Sequence, residues 1–419
     1  MSLGAAPSRF AARGLWLWIG FVSFGGPAAQ IGLLHREFVE RRAWLAEEEF
    51  QRALSLCMLL PGPEALQLAI YIGWRLHGRR GGLYSGLCFL GPAVLLLLGL
   101  SFVYAYAGTL PLVAGALRGL EAVVVALIGH ALLRLARRSL DTPLQGIIAA
   151  SALIALVATR LPYPLLLCGA ALAGAVLGPS RRETVPARAP HATGMAGARA
   201  AMATAACGVA LWLLPLAALF ATGMRGLPMR LYLMLSKAAL LTFGGAYAIV
   251  KYVSDDFVRV HGWITAQQSV AGLALAETTP GPLLIVLQFF GFSAGFNDPG
   301  ASSRAAAGVL CALLASYAVF LPSFVLVLML APHLQRITTG ARLGGALRGV
   351  TAFVVGVIAS LGLTVASVVL LRPDRPAADW AAMLIALAAA VMLGRPRIGL
   401  HWVLAFGVAG GWLAGVAHL

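Results

Sequence analysis

The chain has little charge. Asp, Glu, Lys and Arg make up 11% of its 419 residues and hydrophobic residues 60%, against ~25% and ~45–50% in soluble domains, so a water-soluble globule is excluded. Lysine occurs only as Lys237 and Lys251, and acidic residues number 15 against 31 basic ones, for a net charge of +16. In a soluble protein such an excess would suggest nucleic acid. Here the basic residues cluster at the ends of apolar runs, so no nucleic-acid partner is expected and the charge is a topology signal. The five cysteines, Cys57, Cys88, Cys168, Cys207 and Cys311, form no Cys-x-x-Cys pair, which argues against a disulfide framework or a zinc site. His35, His77, His130, His261 and His333 lack metal-ligand spacing on a helix face, and no metal is assigned. A Gly-rich phosphate loop, a nucleophile elbow and a zinc-protease motif are all missing, which leaves no cofactor, no ATP-driven pump within this chain and little support for an intramembrane enzyme.

What is present is apolar length. Leu83 to Tyr106, Leu112 to Leu133 and Ala305 to Pro332 reach or exceed the ~20 residues that cross a hydrocarbon core. A barrel would show ~10-residue segments of alternating polarity instead. The fold class is all-α: a polytopic membrane protein embedded in the lipid bilayer, with about 13 segments near 14–34, 50–74, 83–106, 112–134, 144–160, 162–178, 200–222, 229–252, 266–296, 304–331, 345–371, 378–394 and 398–416. Arg9 and Arg13, then Arg75, Arg79 and Arg80, then Arg134, Arg137 and Arg138, then Arg181, Arg182, Arg188 and Arg199 mark every second boundary, which places the N-terminus in the cytoplasm. Arg36, Arg41, Arg42 and Arg52 fall on the nominal outer side. The alternative there is that 27–60 forms a helical pair that does not fully cross. The first apolar run, from Gly14, reads as a retained helix and not a signal peptide.

The sequence also says one thing twice. Ser23-Phe24-Gly25-Gly26 returns as Thr242-Phe243-Gly244-Gly245 and Pro61-Gly62-Pro63 as Pro280-Gly281-Pro282, both 219 residues on. Phe38 and Phe257 share that offset, as do Trp44 and Trp263. Ala116-Leu117-Arg118-Gly119 returns as Ala346-Leu347-Arg348-Gly349 at an offset of 230, so an insertion of eleven residues lies near Phe296 to Gly300. The expected organisation is a first repeat over 1–178, a cytoplasmic linker over 179–199, an extra membrane segment over 200–228 and a second repeat over 229–419. An odd number of crossings between the repeat starts would make them inverted, as in secondary transporters.

The repeated motifs read as helix breaks. Thr265-Ala266-Gln267-Gln268 has capping-box form, so a helix starts there and meets Pro280-Gly281-Pro282 after about a dozen residues, or about 20 Å, too short to cross alone. Gly281 and Gly62 supply backbone freedom, and a proline tolerates the first turn of the next half-helix. Phe24-Gly25-Gly26-Pro27 behaves likewise. Four half-helix N-termini meeting near the midplane would make an anion site from free amides and dipole ends. Glycines and prolines also serve close helix packing; their retention in both halves favours the functional reading.

Candidate substrate-binding residues are therefore Ser23, Phe24, Gly25, Gly26, Gln30, Gly62, Gln67, Thr242, Gly244, Gly245, Thr278, Thr279 and Gly281, the polar ones as neutral donors near the breaks. Arg118 and Arg348 join them as equivalent fixed charges in apolar runs, unless both snorkel to the interface. Lys237, one turn before Thr242, is a further cation. Glu64 and Glu277, on opposite sides of the break in the two halves, are coupling candidates. These observations alone reach a transporter for an anion.

Phe-Gly-Gly-Pro-x-x-Gln at 24–30, Trp-Leu at 44–45, Leu-Pro-Gly-Pro at 60–63 and the Thr-Phe-Gly-Gly and Thr-Pro-Gly-Pro of the second half resemble the long, two-domain members of the chromate ion transporter family over nearly the whole chain. The resemblance implies a secondary transporter of the bacterial inner membrane that exports chromate and confers chromate resistance, with sulfate as the related tetrahedral dianion. A sulfate or other oxyanion transporter and an anion channel are the alternatives, and a homodimer is among the assemblies it allows. The second copy replaces Pro27 by Ala246 and Gln30 by Ile249, so the first half is expected to supply more substrate contacts.

Overall fold

The computed structural model describes residues 9–159, 161–177, 195–243, 245–332, 341–371, 379–395 and 398–416. Gly244 and most of the expected linker, including Arg181, Arg182 and Arg188, lie outside the described residues. Within them the chain is helical, with no strand. Five helices, Glu64–Ala107, Pro111–Ser139, Ala201–Ala221, Arg304–Leu330 and Arg342–Leu370, are long and apolar enough to cross a membrane, and the chain is a multi-pass membrane protein.

Helix α1 (Arg9–Val22) stops at Ser23, and α2 (Gly26–His35) restarts with Pro27 in its first turn. Gly25 and Gly26 take φ of 92° and 75°, a region that costs other residues about 1–2 kcal/mol. A π-helical turn (Arg36–Arg41) closes α2, and α3 (Glu47–Leu59) follows. At 10 and 13 residues α2 and α3 fall short of a crossing, so 27–60 forms a pair of short helices. Helix α4 (Glu64–Ala107) opens behind Pro63 and leaves helical geometry at His77 and Gly78. There it doubles back. The Ser85 hydroxyl donates to the Ala69 carbonyl at 2.8 Å across the two limbs. Helices α5 (Pro111–Ser139), α6 (Pro143–Ala158) and α7 (Tyr163–Leu177) complete the first half.

Helix α8 (Met195–Ala221) stands between the halves. Pro215 leaves the Leu211 carbonyl without its helical donor, and the Tyr317 hydroxyl supplies one at 2.9 Å. The second half then repeats the order: α9 (Leu227–Leu240), α10 (Ala246–Asp255), a second π-helical turn (Asp256–Val260), α11 (Ala266–Thr278), a 3-10 turn (Leu283–Ile285), α12 (Val286–Asn297), α13 (Arg304–Leu330), α14 (Ala341–Leu370), α15 (Trp380–Leu393) and α16 (Leu400–Val416). Where the first copy turns back at His77 and Gly78, the second places residues 298–303 between α12 and α13.

The halves interlock: α5 packs on α15 and α16 of the second half, and α14 packs on α6 and α7 of the first. Glycine permits this. Gly115 and Gly119 face Gly407 and Gly411, while Gly345 and Gly349 face Gly174 and Ala170, so a Cβ at Gly119 or Gly349 would run into a facing carbonyl. These are small-xxx-small seams, in which backbones approach closely enough for dispersion to hold helices in lipid. The repeated Ala-Leu-Arg-Gly motif therefore has a packing role carried by its glycine.

Candidate functional site: two reciprocal helix-break junctions

The Gly281 amide donates to the Ser23 carbonyl at 2.9 Å, and the Gly62 amide donates to the Thr242 carbonyl at 3.0 Å. Ser23 and Thr242 are equivalent positions, as are Gly62 and Gly281. One bond is thus made twice with the halves exchanged, the reciprocity that a two-fold relation generates. Gly62 and Gly281 sit at φ of 127° and 97°. A Cβ on Gly62 would strike Ser323, and one on Gly281 would strike Ala93, again equivalent positions 230 residues apart. Helix α2 packs on α4 and the 3-10 turn on α10, which joins the four break segments in a ring.

Side chains differ between the junctions. Gln30 Nε2 donates to the Ser23 carbonyl at 3.0 Å and to the Gly281 carbonyl at 2.6 Å, bracing the first junction. Gln67 Nε2 donates to the Pro61 carbonyl at 2.8 Å beside the second. Gln30 Oε1, Gln67 Oε1 and Ser323 Oγ are buried without a partner among the described residues. Polar atoms left unpaired in an apolar interior are costly, about 1–3 kcal/mol each, and are retained where something else uses them.

A cavity of about 670 Å³ reaches the first junction: Phe24, Gly25 and Thr278 line it there, and Tyr104, Leu117, Leu120 and Leu404 form part of its largely apolar wall. Gly25 caps α2, so the amides at that N-terminus and the positive end of the helix dipole lie beside the cavity.

The structure thus gathers Ser23, Phe24, Gly25, Gly26, Gln30, Thr278, Thr279 and Gly281 at one junction and Gly62, Gln67, Thr242 and Gly245 at the other; Gly244 lies outside the described residues. The hydroxyls of Ser23, Thr242, Thr278 and Thr279 donate to the Gly20, Ala238, Leu275 and Ala276 carbonyls of their own helices. Arg118 donates to the Ala114 carbonyl at 3.3 Å and shares a small pocket with Asp379, the N-cap of α15. Arg348 is half-buried between Gly345 and Gly349, and Lys237 is exposed on α9. Glu64 is half-buried in the first turn of α4, and buried Glu277 accepts from the Tyr247 hydroxyl at 2.6 Å.

Three buried charges, Glu37, Glu121 and Lys251, escaped the sequence reading. Glu121, inside α5, accepts from Gln267 of α11 at 3.3 Å; a lone acid in the 112–134 run was its signal. Lys251 is buried with Nζ 2.6 Å from both Asp255 oxygens, the pairing that i,i+4 spacing on α10 announces. At the far ends of α2 and α10 the π-helical turns place Glu37 and Asp256 at equivalent positions. Burial raises the Glu37 carboxyl, but hydrogen bonds from Arg41 and Arg42 outweigh it and hold the group below its ordinary value. Asp256, 3.6 Å from His261, is raised because burial outweighs its cationic neighbours.

A duplicated, interlocked helical bundle with breaks facing one another defines a class of polytopic membrane proteins. The sequence profile of the chromate transporters matches residues 13–175 and 229–412, and the chain belongs to the chromate transporter family. It is 34% identical over 84% of its length to a chromate transport protein of Pseudomonas aeruginosa, covering 80% of that protein. It is 30% identical over 82% to a probable chromate transport protein of Synechococcus elongatus, covering 81%, and 27% identical over 90% to a chromate transport protein of Cupriavidus metallidurans, covering 86%. No solved structure matches the chain.

Proposed function

We propose that the protein is a secondary transporter that exports chromate from the cytoplasm across the inner membrane by alternating access and so confers chromate resistance. The reciprocal pair of bonds, Gly281 to Ser23 and Gly62 to Thr242, carries this reading, because it brings broken helices of both halves face to face. With about 13 segments and a cytoplasmic N-terminus, an odd number of crossings separates the repeats, and the two-fold relation becomes an inversion in the membrane plane. Chromate is held by the first-turn amides of the half-helices that open after Gly25, Gly62, Gly245 and Gly281, the Gly62 and Gly281 amides themselves being engaged in the junction bonds, with Gln30 and Gln67 shaping the site. Arg118 and Arg348 act from a distance as fixed positive charge along α5 and α14.

Export of a dianion from a negative-inside cell is favoured by about 4.6 kcal/mol per 100 mV, twice the single-charge value. The potential therefore drives export without obligatory proton exchange, and Glu64 and Glu277 are the groups through which a proton would couple. Sulfate, of the same charge and shape, is the alternative substrate. Inside-out vesicles energised by respiration and supplied with labelled chromate test the reading. Saturable, ionophore-sensitive accumulation is expected, with sulfate as competitor. Absence of accumulation above empty vesicles, with insertion confirmed, would overturn it.

A further inference from the structure

Granting the alternating-access reading above, we infer that the cavity is the open access path to the first junction and that Tyr163 is the gating residue that seals the equivalent path in the other half. Ala29 of α2, Leu120 of α5, and Leu400 and Leu404 of α16 line the cavity. Their counterparts follow from the repeat. Ala29 and Leu120 correspond to Ala248 and Val350. Gly174 faces Gly345 and Gly349 as Gly411 faces Gly115 and Gly119, which aligns α7 with α16 and sets Tyr163 where Leu400 stands and Leu167 where Leu404 stands.

Three of the four counterparts are more buried than the lining residues: Ala248 is 1% exposed where Ala29 is open, and Tyr163 at 6% and Leu167 at 5% stand against half-buried Leu400 and Leu404, while Leu120 and Val350 are alike at 7%. The Tyr163 ring stacks on Tyr252 of α10 at 4.9 Å and meets Phe353 of α14 edge-on at 5.3 Å. Tyr252 and Phe353 correspond to Leu33 and Val123, which are buried and do not line the cavity, so of the three rings it is Tyr163 that stands where the first half has a lining residue, Leu400. The Tyr163 hydroxyl is buried without a hydrogen-bond partner among the described residues. No polar bond therefore has to break when the ring withdraws; rings and apolar walls part, and α10 moves off α14 as α2 closes on α5.

Thiol accessibility in the full-length protein tests this without reference to any substrate, so its failure is distinguishable from failure of the chromate reading. In membrane vesicles of both orientations, Ala29→Cys should react with a membrane-impermeant maleimide at least about tenfold faster than Ala248→Cys. Adding Tyr163→Ala should accelerate labelling at Ala248→Cys by a similar factor, whereas Tyr163→Phe should leave it protected. Oxidising a Tyr163→Cys/Tyr252→Cys pair should abolish transport, reversibly on reduction, while Ala29→Cys stays reactive. Unreactive Ala29→Cys would show that the cavity faces lipid and overturn the inference, as would equal labelling of the two positions or continued protection of Ala248→Cys in the Tyr163→Ala background.

Discussion

The two halves make the same backbone bond at their breaks and surround it with different side chains. At the first junction Gln30 braces Ser23 and Gly281; its equivalent, Ile249, is apolar and buried. At the second, Gln67 and Ser323 stand beside Gly62, where the equivalents beside Gly281 are Val286 and Ala93. Duplication supplied a symmetric backbone scaffold, and divergence made its chemistry one-sided, with both glutamines coming from the first half. The same asymmetry extends outward: Leu400 lines an open cavity that reaches the first junction, and its counterpart Tyr163 is buried against Tyr252 and Phe353.

Substitutions that strike the shared scaffold should have the largest effect and be equal in the two halves. Gly62→Leu and Gly281→Leu each combine a disfavoured positive φ with collision against Ser323 or Ala93. At about 1–2 kcal/mol for the backbone and 1–3 for overpacking, chromate flux should fall by about two orders of magnitude in both. Tolerance of either would break the equivalence of the junctions. Gly119→Leu and Gly349→Leu, which drive side chains into facing helix backbones, should lower the yield of folded protein in the membrane to similar extents, read by detergent-extracted monodispersity.

Side-chain changes should separate the halves. Gln30→Leu removes two hydrogen bonds, and at about 1 kcal/mol each should slow uptake by about tenfold or more, while Ile249→Leu should change uptake less than twofold. Arg118→Gln, which alters the pocket shared with Asp379, should cost less than Gln30→Leu; the reverse order of initial rates would return the arginine to the site. The smallest effect is expected at the π-helical turns. Because the Glu37 carboxyl is held below its ordinary value, its contribution is present above the unfolded-state pKa and is lost as pH falls through the depressed value. With Arg41 largely exposed, Glu37→Gln should cost about 1 kcal/mol at neutral pH, and the difference in thermal stability from the parent should vanish in acid.

Much of this was legible because breaks announce themselves locally. The capping box at Thr265 and Gln268, the helix restart at Glu64 and the glycine pair before Pro27 all stand where sequence rules place them. The pairing of Gly281 with Ser23 carries no local signal, since it joins segments that only the folded bundle brings together. Arg118 and Arg348 drew attention through their charge, yet the glycine beside each was the informative residue. Gly-x-x-x-Gly spacing at 115 and 119, at 345 and 349, and at 407 and 411 was the overlooked signal of the seams. That the hydroxyls near the breaks donate to carbonyls of their own helices was not read from the sequence: a helix end leaves carbonyls without donors, and the nearest hydroxyl supplies one.

Chromium is its own label for the substrate site. Crystals grown or soaked with chromate and measured at the chromium absorption edge should show an anomalous peak at the Ser23–Gly281 or Gly62–Thr242 junction, with the oxygens around it within hydrogen-bonding distance of the backbone. A peak between Arg118 and Asp379, with none at either junction, would contradict the assignment of the helix breaks as the place where the anion is held.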